Sequence, residues 1–158
     1  MIYITGDTHG GFQKFGNKYF PPQQHMSRED YVIITGDFGG LWDGGPKDWY
    51  WLDWLSGKPF TTLFVDGNHE NFDLLNALPE KEWHGGRVHE VRENILHLMR
   101  GQVFTFGGLT WFTMGGASRM PLSTTSSWET IAALRSSSSS STLFSFRRAR
   151  AISTMPSA

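Results

Sequence analysis

Short apolar runs alternate along this chain with polar loops that begin at or near a glycine. Three runs rich in β-branched and aromatic residues, at 1–5, 31–35 and 62–65, predict buried strands. The polar loops that follow them are spaced by 30 and then 31 residues, the length of a strand–crossover–parallel strand unit. The pattern therefore predicts three parallel strands whose carboxyl ends meet at one edge of a sheet.

Helices and further strands are predicted around these three runs. Pro46–Ser56 is a predicted helix, because proline suits a first helical turn and tryptophan and leucine side chains give the segment a broad apolar face. A second, short helix is predicted over 71–78, where Pro79 ends it. Four short strand-like runs follow, at 88–91, 95–99, 102–106 and 109–114. Turn signals separate these runs, and we expect the resulting antiparallel meander to form a second sheet packed near the first.

Composition narrows the class of protein without deciding its activity. The length of 158 residues and the 39% apolar content fit a single globular domain. Cysteine is absent, which excludes disulfides and thiolate metal sites. No apolar run approaches the ~20 residues that span a bilayer, and no basic segment leads into an apolar one at the start. We therefore expect a cytoplasmic protein with no membrane partner.

The charge and the serine content divide the chain into two parts. Residues 118–158 hold 13 of the 15 serines, five arginines and one glutamate, which leaves a net charge of about −5 on residues 1–117. An acidic body suits a divalent cation and argues against a nucleic-acid partner. A serine run of this kind rarely builds a core, so residues 118–158 are predicted to be disordered or translated out of frame.

Five polar residues follow the three predicted strands and should converge at their shared edge. They are Asp7, His9, Asp37, Asn68 and His69. Carboxylate, imidazole and amide donors suit Mn, Fe or Zn better than a soft thiophilic metal. Asp37 is central enough to bridge two such ions, and a metal pair can activate a water and bind the oxygens of a phosphoryl group. His69 adjoins Asn68 and can act as a general acid.

These residues resemble the motifs of the calcineurin-like metallophosphoesterases. Asp7-Thr8-His9, Gly36-Asp37 and Gly67-Asn68-His69-Glu70 stand in the family's order, each at the end of a strand-like run. The resemblance covers about residues 1–117. It implies an α/β fold, an incomplete αββα sandwich of the metallo-dependent phosphatase type, with a mixed sheet, an antiparallel meander and outer helices.

The resemblance also implies an activity and a role for each site residue. The activity is metal-dependent hydrolysis of phosphomonoesters or phosphodiesters by a metal-activated water. By resemblance, Asp7 and His9 bind one metal, Asp37 bridges, Asn68 binds the second metal, and His69 is the catalytic proton donor. The expected partner is a small-molecule or nucleotide phosphoester, and the cofactors are two divalent ions (Mn, Fe or Zn).

The chain departs from the family pattern after this body. The family adds later histidines in a Gly-His motif and a Gly-His-x-His motif, and this chain has no histidine after His97. We therefore predict an incomplete phosphoesterase domain over 1–117 that holds at most one metal tightly. The alternative is a non-catalytic remnant or binding module with at most one metal. His84, His89 and His97 are more simply explained as structural residues than as replacement ligands.

The loop after Asp37 bears on the substrate class. The Ser/Thr phosphatases of this superfamily have Asp-Arg-Gly where this chain has Gly40-Leu41-Trp42, which argues against a protein phosphatase. Asp43 can orient His69 in place of the missing aspartate, or it can form the turn before Gly44-Gly45. The sequence favours neither interpretation.

Overall fold

Three parallel strands form the centre of the main sheet, as the apolar runs predict. They are β1 (Ile2–Gly6), β2 (Tyr31–Thr35) and β3 (Thr61–Val65). The computed structural model of the chain describes residues 1–115 and 149–151. Within it Gly6 lies opposite Thr35, and Thr35 lies opposite Val65. Because the three strands end level with one another, the loops that follow them leave from the same edge.

The helices lie close to their predicted positions. Helix α1 covers Pro46–Ser56, and a 3₁₀ turn covers Phe12–Phe15. Helix α2 covers Phe72–Asn76 and begins after Asn71, whose side chain accepts a hydrogen bond from the Leu74 amide. With 11 residues α1 is the longest helix that the structure describes, and none of the described helices is long and apolar enough to cross a membrane.

The structure divides the four later runs between two sheets, which corrects the prediction that they share a second one. Three strands extend the main sheet beyond β3: β4 (Glu80–Trp83), β5 (Gly86–Arg92) and β6 (Ile95–Leu98). The main sheet has the order β4-β5-β6-β3-β2-β1-β9, where β9 (Ala149–Ala151) runs parallel to β1. Only β7 (Val103–Phe106) and β8 (Leu109–Phe112) form the second sheet, an antiparallel hairpin.

Burial explains why β6 joins the main sheet and β7 does not. Every residue of Ile95–Leu98 is buried, as a strand covered on both faces requires, and β6 pairs in parallel with β3. Val103–Phe106 alternates exposed and buried residues, the pattern of a strand covered on one face only.

The core lies on both faces of the main sheet. On one face Val32 and Ile34 of β2 pack with the 3₁₀ phenylalanines Phe12 and Phe15 and with Leu52 of α1. On the other face Ile33 and Leu63 pack with the β7–β8 hairpin. The hairpin residues in that cluster are Phe104, Phe106 and Trp111. The α/β fold with an incomplete sandwich is therefore confirmed, and Phe12, Phe15 and Phe20 after β1 belong to the core, whereas Tyr19 is exposed.

Only three residues of the predicted tail are described. Ala149–Ala151 adds a strand beside β1. The predictions about the rest of 118–158 lie outside the described residues.

Candidate functional site

The loop after β1 is held against the loop after β2 by backbone hydrogen bonds. The amide of Asp7 donates to the carbonyl of Gly36 at 3.2 Å, and the amide of His9 donates to that of Asp37 at 2.8 Å. Asp7, His9 and Asp37 all adopt the left-handed backbone conformation, with φ of 46°, 44° and 45°. Such strain costs ~1–3 kcal/mol per residue and concentrates at functional sites. Three of the predicted site residues therefore lie in one strained junction.

Asp37 is the centre of the contacts that the structure shows. Its carboxylate Oδ2 lies 3.5 Å from Nε2 of His9, and its Oδ1 accepts a hydrogen bond of 3.0 Å from the backbone amide of His69. The rings of His9 and His69 are 5.7 Å apart. Asp37 is only 8% exposed, whereas both histidines are exposed. The structure thus brings His9, Asp37 and His69 together. The imidazoles of the two histidines are open to a ligand.

Asp7 and Asn68 lie at the same edge but make no comparable contact. Both side chains are exposed, and among the described residues neither forms a side-chain hydrogen bond or an ion pair. No three His, Cys, Asp or Glu side chains in the described part of the chain are close enough together to hold a metal ion. The donor types fit Mn, Fe or Zn, and the geometry supplies one close pair of donors, His9 and Asp37. The assignment of Asp7 and Asn68 as ligands stays a prediction.

Two glycines permit this close approach of the loops. A Cβ on Gly67 would lie 2.0 Å from Oδ1 and 2.4 Å from the amide nitrogen of Asp37. A Cβ on Gly39, whose φ is +65°, would lie 2.7 Å from the carbonyl carbon of His9. Each of the three loops therefore touches another at a point where no side chain fits.

Glu70, the last residue of the third motif, ties two of these loops together. Its Oε1 accepts a hydrogen bond of 2.6 Å from the Phe38 amide, and its Oε2 accepts one of 3.4 Å from Gly39. Burial raises the pKa of the Glu70 carboxyl to about 7, although the backbone amides that it accepts from oppose the shift. The sequence analysis gave Glu70 no role. Its position as the last residue of the third motif was the one signal that could have indicated a role at the site.

A buried polar chain lies behind the third loop, and sequence reasoning missed it. The carboxylate of Asp66, which is 1% exposed, lies 3.0 Å from Nε2 of His97 and accepts a hydrogen bond of 2.5 Å from Nε of Arg100. Burial alone raises the pKa of Asp66, but the hydrogen bonds from His97 and Arg100 outweigh it and hold that pKa below its usual range. Nδ1 of His97 lies 2.9 Å from Nδ1 of His89. Both histidines therefore have buried partners, as a structural role requires.

The remaining candidate residues have simpler environments. His84 is exposed, with its Nδ1 3.1 Å from the carbonyl of Thr105. Oδ1 of Asp43 accepts a hydrogen bond of 2.7 Å from the Gly45 amide, which favours the turn over an orienting role toward His69. Lys14 lies near Asp7, and burial lowers its pKa while the charge of Asp7 opposes that shift.

An open cleft of about 520 Å³ adjoins His69. It is lined by Trp42, Asn68, His69, Glu70, Asn71, Phe72 and Asp73. The predicted proton donor therefore faces a space large enough for a small molecule.

Comparison with known proteins agrees with the motifs and the fold. The sequence model of the calcineurin-like phosphoesterase family matches residues 1–145, so the chain belongs to this family. No curated protein and no solved structure matches the chain significantly. The family match supports a metal-dependent phosphoesterase kind of function and specifies neither a substrate nor an ion. The matched range extends past residue 117, and the domain boundary there stays a prediction.

Proposed function

We propose that this chain hydrolyses phosphoesters, either phosphomonoesters or phosphodiesters, with the help of a divalent metal ion. The observation that carries the proposal is the junction at Asp37, where the carboxylate lies 3.5 Å from the His9 imidazole and accepts from the His69 amide at 3.0 Å. Family membership supports the same kind of reaction.

Each residue at the junction has a distinct task in this proposal. Asp7, His9 and Asp37 would hold the first ion, and Asn68 with Asp37 would offer a weaker second site. A divalent ion bound there supplies a Lewis acid and lowers the pKa of a water molecule. Since Asn68 adds only one ligand of its own, we expect no more than one Mn, Fe or Zn to be held tightly.

His69 acts on the leaving group. Its backbone is held against Asp37, while its imidazole is exposed beside the cleft. A histidine in this position can donate a proton to the departing oxygen, which contributes about 10²–10⁴-fold in comparable sites. That contribution grows with the basicity of the leaving group, because a poor leaving group needs the proton most.

The experiment compares two phosphodiesters in the presence of added Mn²⁺. One has a 4-nitrophenol leaving group, which leaves without a proton, and the other has an alkyl alcohol leaving group. His69→Ala should slow hydrolysis of the alkyl ester much more than hydrolysis of the 4-nitrophenyl ester. His25→Ala is the matched control, because His25 is exposed and lies in the 3₁₀ turn Pro21–His25.

Two results would contradict the proposal. Equal losses on both esters would mean that His69 only positions the phosphate. If no added divalent ion elicits any hydrolysis by the wild-type chain, the alternative of a non-catalytic binding module is favoured instead.

A further inference from the structure

A lysine that belongs to none of the three motifs contacts the end of β1. The ammonium group of Lys14 donates hydrogen bonds to Oγ1 of Thr5 at 3.1 Å and to the carbonyl of Gly6 at 3.3 Å. The Lys14 side chain is half-buried, so these bonds replace water that the ammonium group has lost. Gly6 is the last residue of β1 and directly precedes Asp7. Lys14 therefore acts on the backbone immediately before a predicted metal ligand.

The peptide group between Gly6 and Asp7 is held at both ends. Its carbonyl oxygen, which belongs to Gly6, accepts from Lys14. Its N–H, which belongs to Asp7, donates to the carbonyl of Gly36 at 3.2 Å. A trans peptide group is planar and its N–H and carbonyl point in opposite directions, so two such bonds fix the orientation of the plane. That orientation limits the directions in which the Asp7 side chain can leave the loop.

Asp7 needs this support because its backbone is strained. Its φ of 46° lies in the left-handed region, which costs a residue other than glycine ~1–3 kcal/mol and persists only where surrounding contacts enforce it. The Asp7 carboxylate is exposed and accepts no hydrogen bond from the described residues. The contacts of the neighbouring backbone are therefore the ones that orient it.

Lys14 is itself held in place by the hydrophobic core. It lies in the 3₁₀ turn Phe12–Phe15, and the side chains of Phe12 and Phe15 are fully buried in the core cluster. The amide of Gly10, just before this turn, donates to the carbonyl of Phe38 at 2.9 Å. The ammonium group is thus attached to a turn whose position the core determines, and its bond to Gly6 fixes the loop after β1 relative to that turn.

We propose that Lys14 is a positioning residue, which orients Asp7 for a divalent ion by holding the peptide group between Gly6 and Asp7. The inference rests on the proposed function, since it takes Asp7 as a metal ligand. Lys14 has two effects of opposite sign on metal affinity. Its positive charge near Asp7 repels a divalent ion, whereas its hydrogen bond to Gly6 orders the loop that carries the ligand. Salt screens the repulsion, and loss of a contact that supports a ligand costs about 10–100-fold in affinity, so the ordering effect should prevail.

Lys14→Met tests the proposal, because methionine keeps an unbranched stem and removes the ammonium group. We expect the variant to bind Mn²⁺ at least ~10-fold more weakly than the wild type. In the metal-free chain, hydrogen exchange of the Asp7 amide should be ~5-fold faster by NMR, the equivalent of one lost hydrogen bond. The amide of Tyr31, which donates to the Met1 carbonyl at the other end of the strands, is the internal reference.

Lys18→Met is the matched control for the change in charge. Lys18 is exposed, and in the part of the chain that the structure describes it forms no hydrogen bond or ion pair; its ammonium lies 5.3 Å from the centre of the Tyr19 ring. This variant should keep the wild-type Mn²⁺ affinity and the wild-type exchange rate of the Asp7 amide.

The outcomes separate the inference from the function on which it rests. Unchanged or higher Mn²⁺ affinity in Lys14→Met would overturn the proposal, since the charge alone would then act. Unchanged exchange at Asp7, or equal acceleration at Asp7 and Tyr31, would also overturn it, because the loop would then not depend specifically on Lys14. If the wild-type chain binds no Mn²⁺, the proposed function fails, and exchange at Asp7 alone decides whether Lys14 orders the loop.

Discussion

Replacing Gly67 by alanine tests how closely the third loop must approach Asp37. The added Cβ would lie 2.0 Å from Oδ1 and 2.4 Å from the amide nitrogen of Asp37, whereas ordinary contacts begin at 3.4 Å. Asp37 has little room to withdraw, because it is 8% exposed and its Oδ1 already accepts from the His69 amide. The two loops must therefore separate by roughly 1 Å, since packed interiors leave no such space.

The size of the expected effect follows from that displacement. Overpacking of this kind costs about 1–3 kcal/mol in the free energy of unfolding. A ligand set disturbed through its supporting contacts loses about 10–100-fold in metal affinity. We expect Gly67→Ala to show both losses, measured by urea denaturation and by titration with Mn²⁺.

Gly57→Ala provides the matched control. Gly57 ends α1 with a φ of −71°, and a Cβ there would lie 3.4 Å from the nearest atom, the carbonyl oxygen of Trp54. Alanine suits this conformation, so the control should be neutral or stabilising by up to ~1 kcal/mol. Wild-type stability and wild-type Mn²⁺ affinity in Gly67→Ala would refute the close packing of the two loops.

Two further predictions concern the buried polar chain behind the third loop. Asp66→Ala leaves His97 and Arg100 without their carboxylate and should cost roughly 2–4 kcal/mol in the free energy of unfolding at neutral pH. Urea denaturation measures this loss. A loss below ~0.5 kcal/mol would mean that the contacts of Asp66 with His97 and Arg100 contribute nothing to stability. Burial, followed by the charge of His97, lowers the pKa of His89. The imidazole of His89 therefore binds a proton more readily in the unfolded chain than in the folded one. The free energy of unfolding should fall as the pH drops through ~6.5. His89→Gln should flatten this dependence between about pH 7.5 and about pH 5.5, and an unchanged slope would contradict the assignment.

The sequence predicted the sheet edge and its polar residues because local patterns determine them. Apolar runs at about 30-residue spacing indicate parallel strands, and the glycines after them indicate where the chain turns. The prediction placed the run at 95–99, which became β6, in the second sheet because turn signals suggest pairing with neighbours in sequence. The pairing of β6 with β3 depends on whether both faces of the strand are covered by other elements. A run of four residues does not show this.

The polar partners at the site were harder to predict for a similar reason. Asp66 and His97 are 31 residues apart, and their contact follows from the parallel pairing of β3 and β6. The role of Glu70 depends on the amides of Phe38 and Gly39, which carry no side-chain signal in the sequence. The loop geometry at Asp37 was predicted in outline, because strand ends at one edge converge whatever their side chains are.

A titration with Mn²⁺, followed by electron paramagnetic resonance of the free ion, tests the central claim most directly. The claim is that Asp37, with His9 and Asp7, holds a divalent ion at the carboxyl edge of the sheet. Asp37→Asn keeps the shape of the side chain and removes its charge. Asp43→Asn is the control, since among the described residues the Asp43 carboxylate accepts from the Gly45 amide and from no other group. The account predicts about one tightly bound ion in the wild type and the control, and none in Asp37→Asn. Unchanged binding in Asp37→Asn, or two tightly bound ions in the wild type, would contradict it.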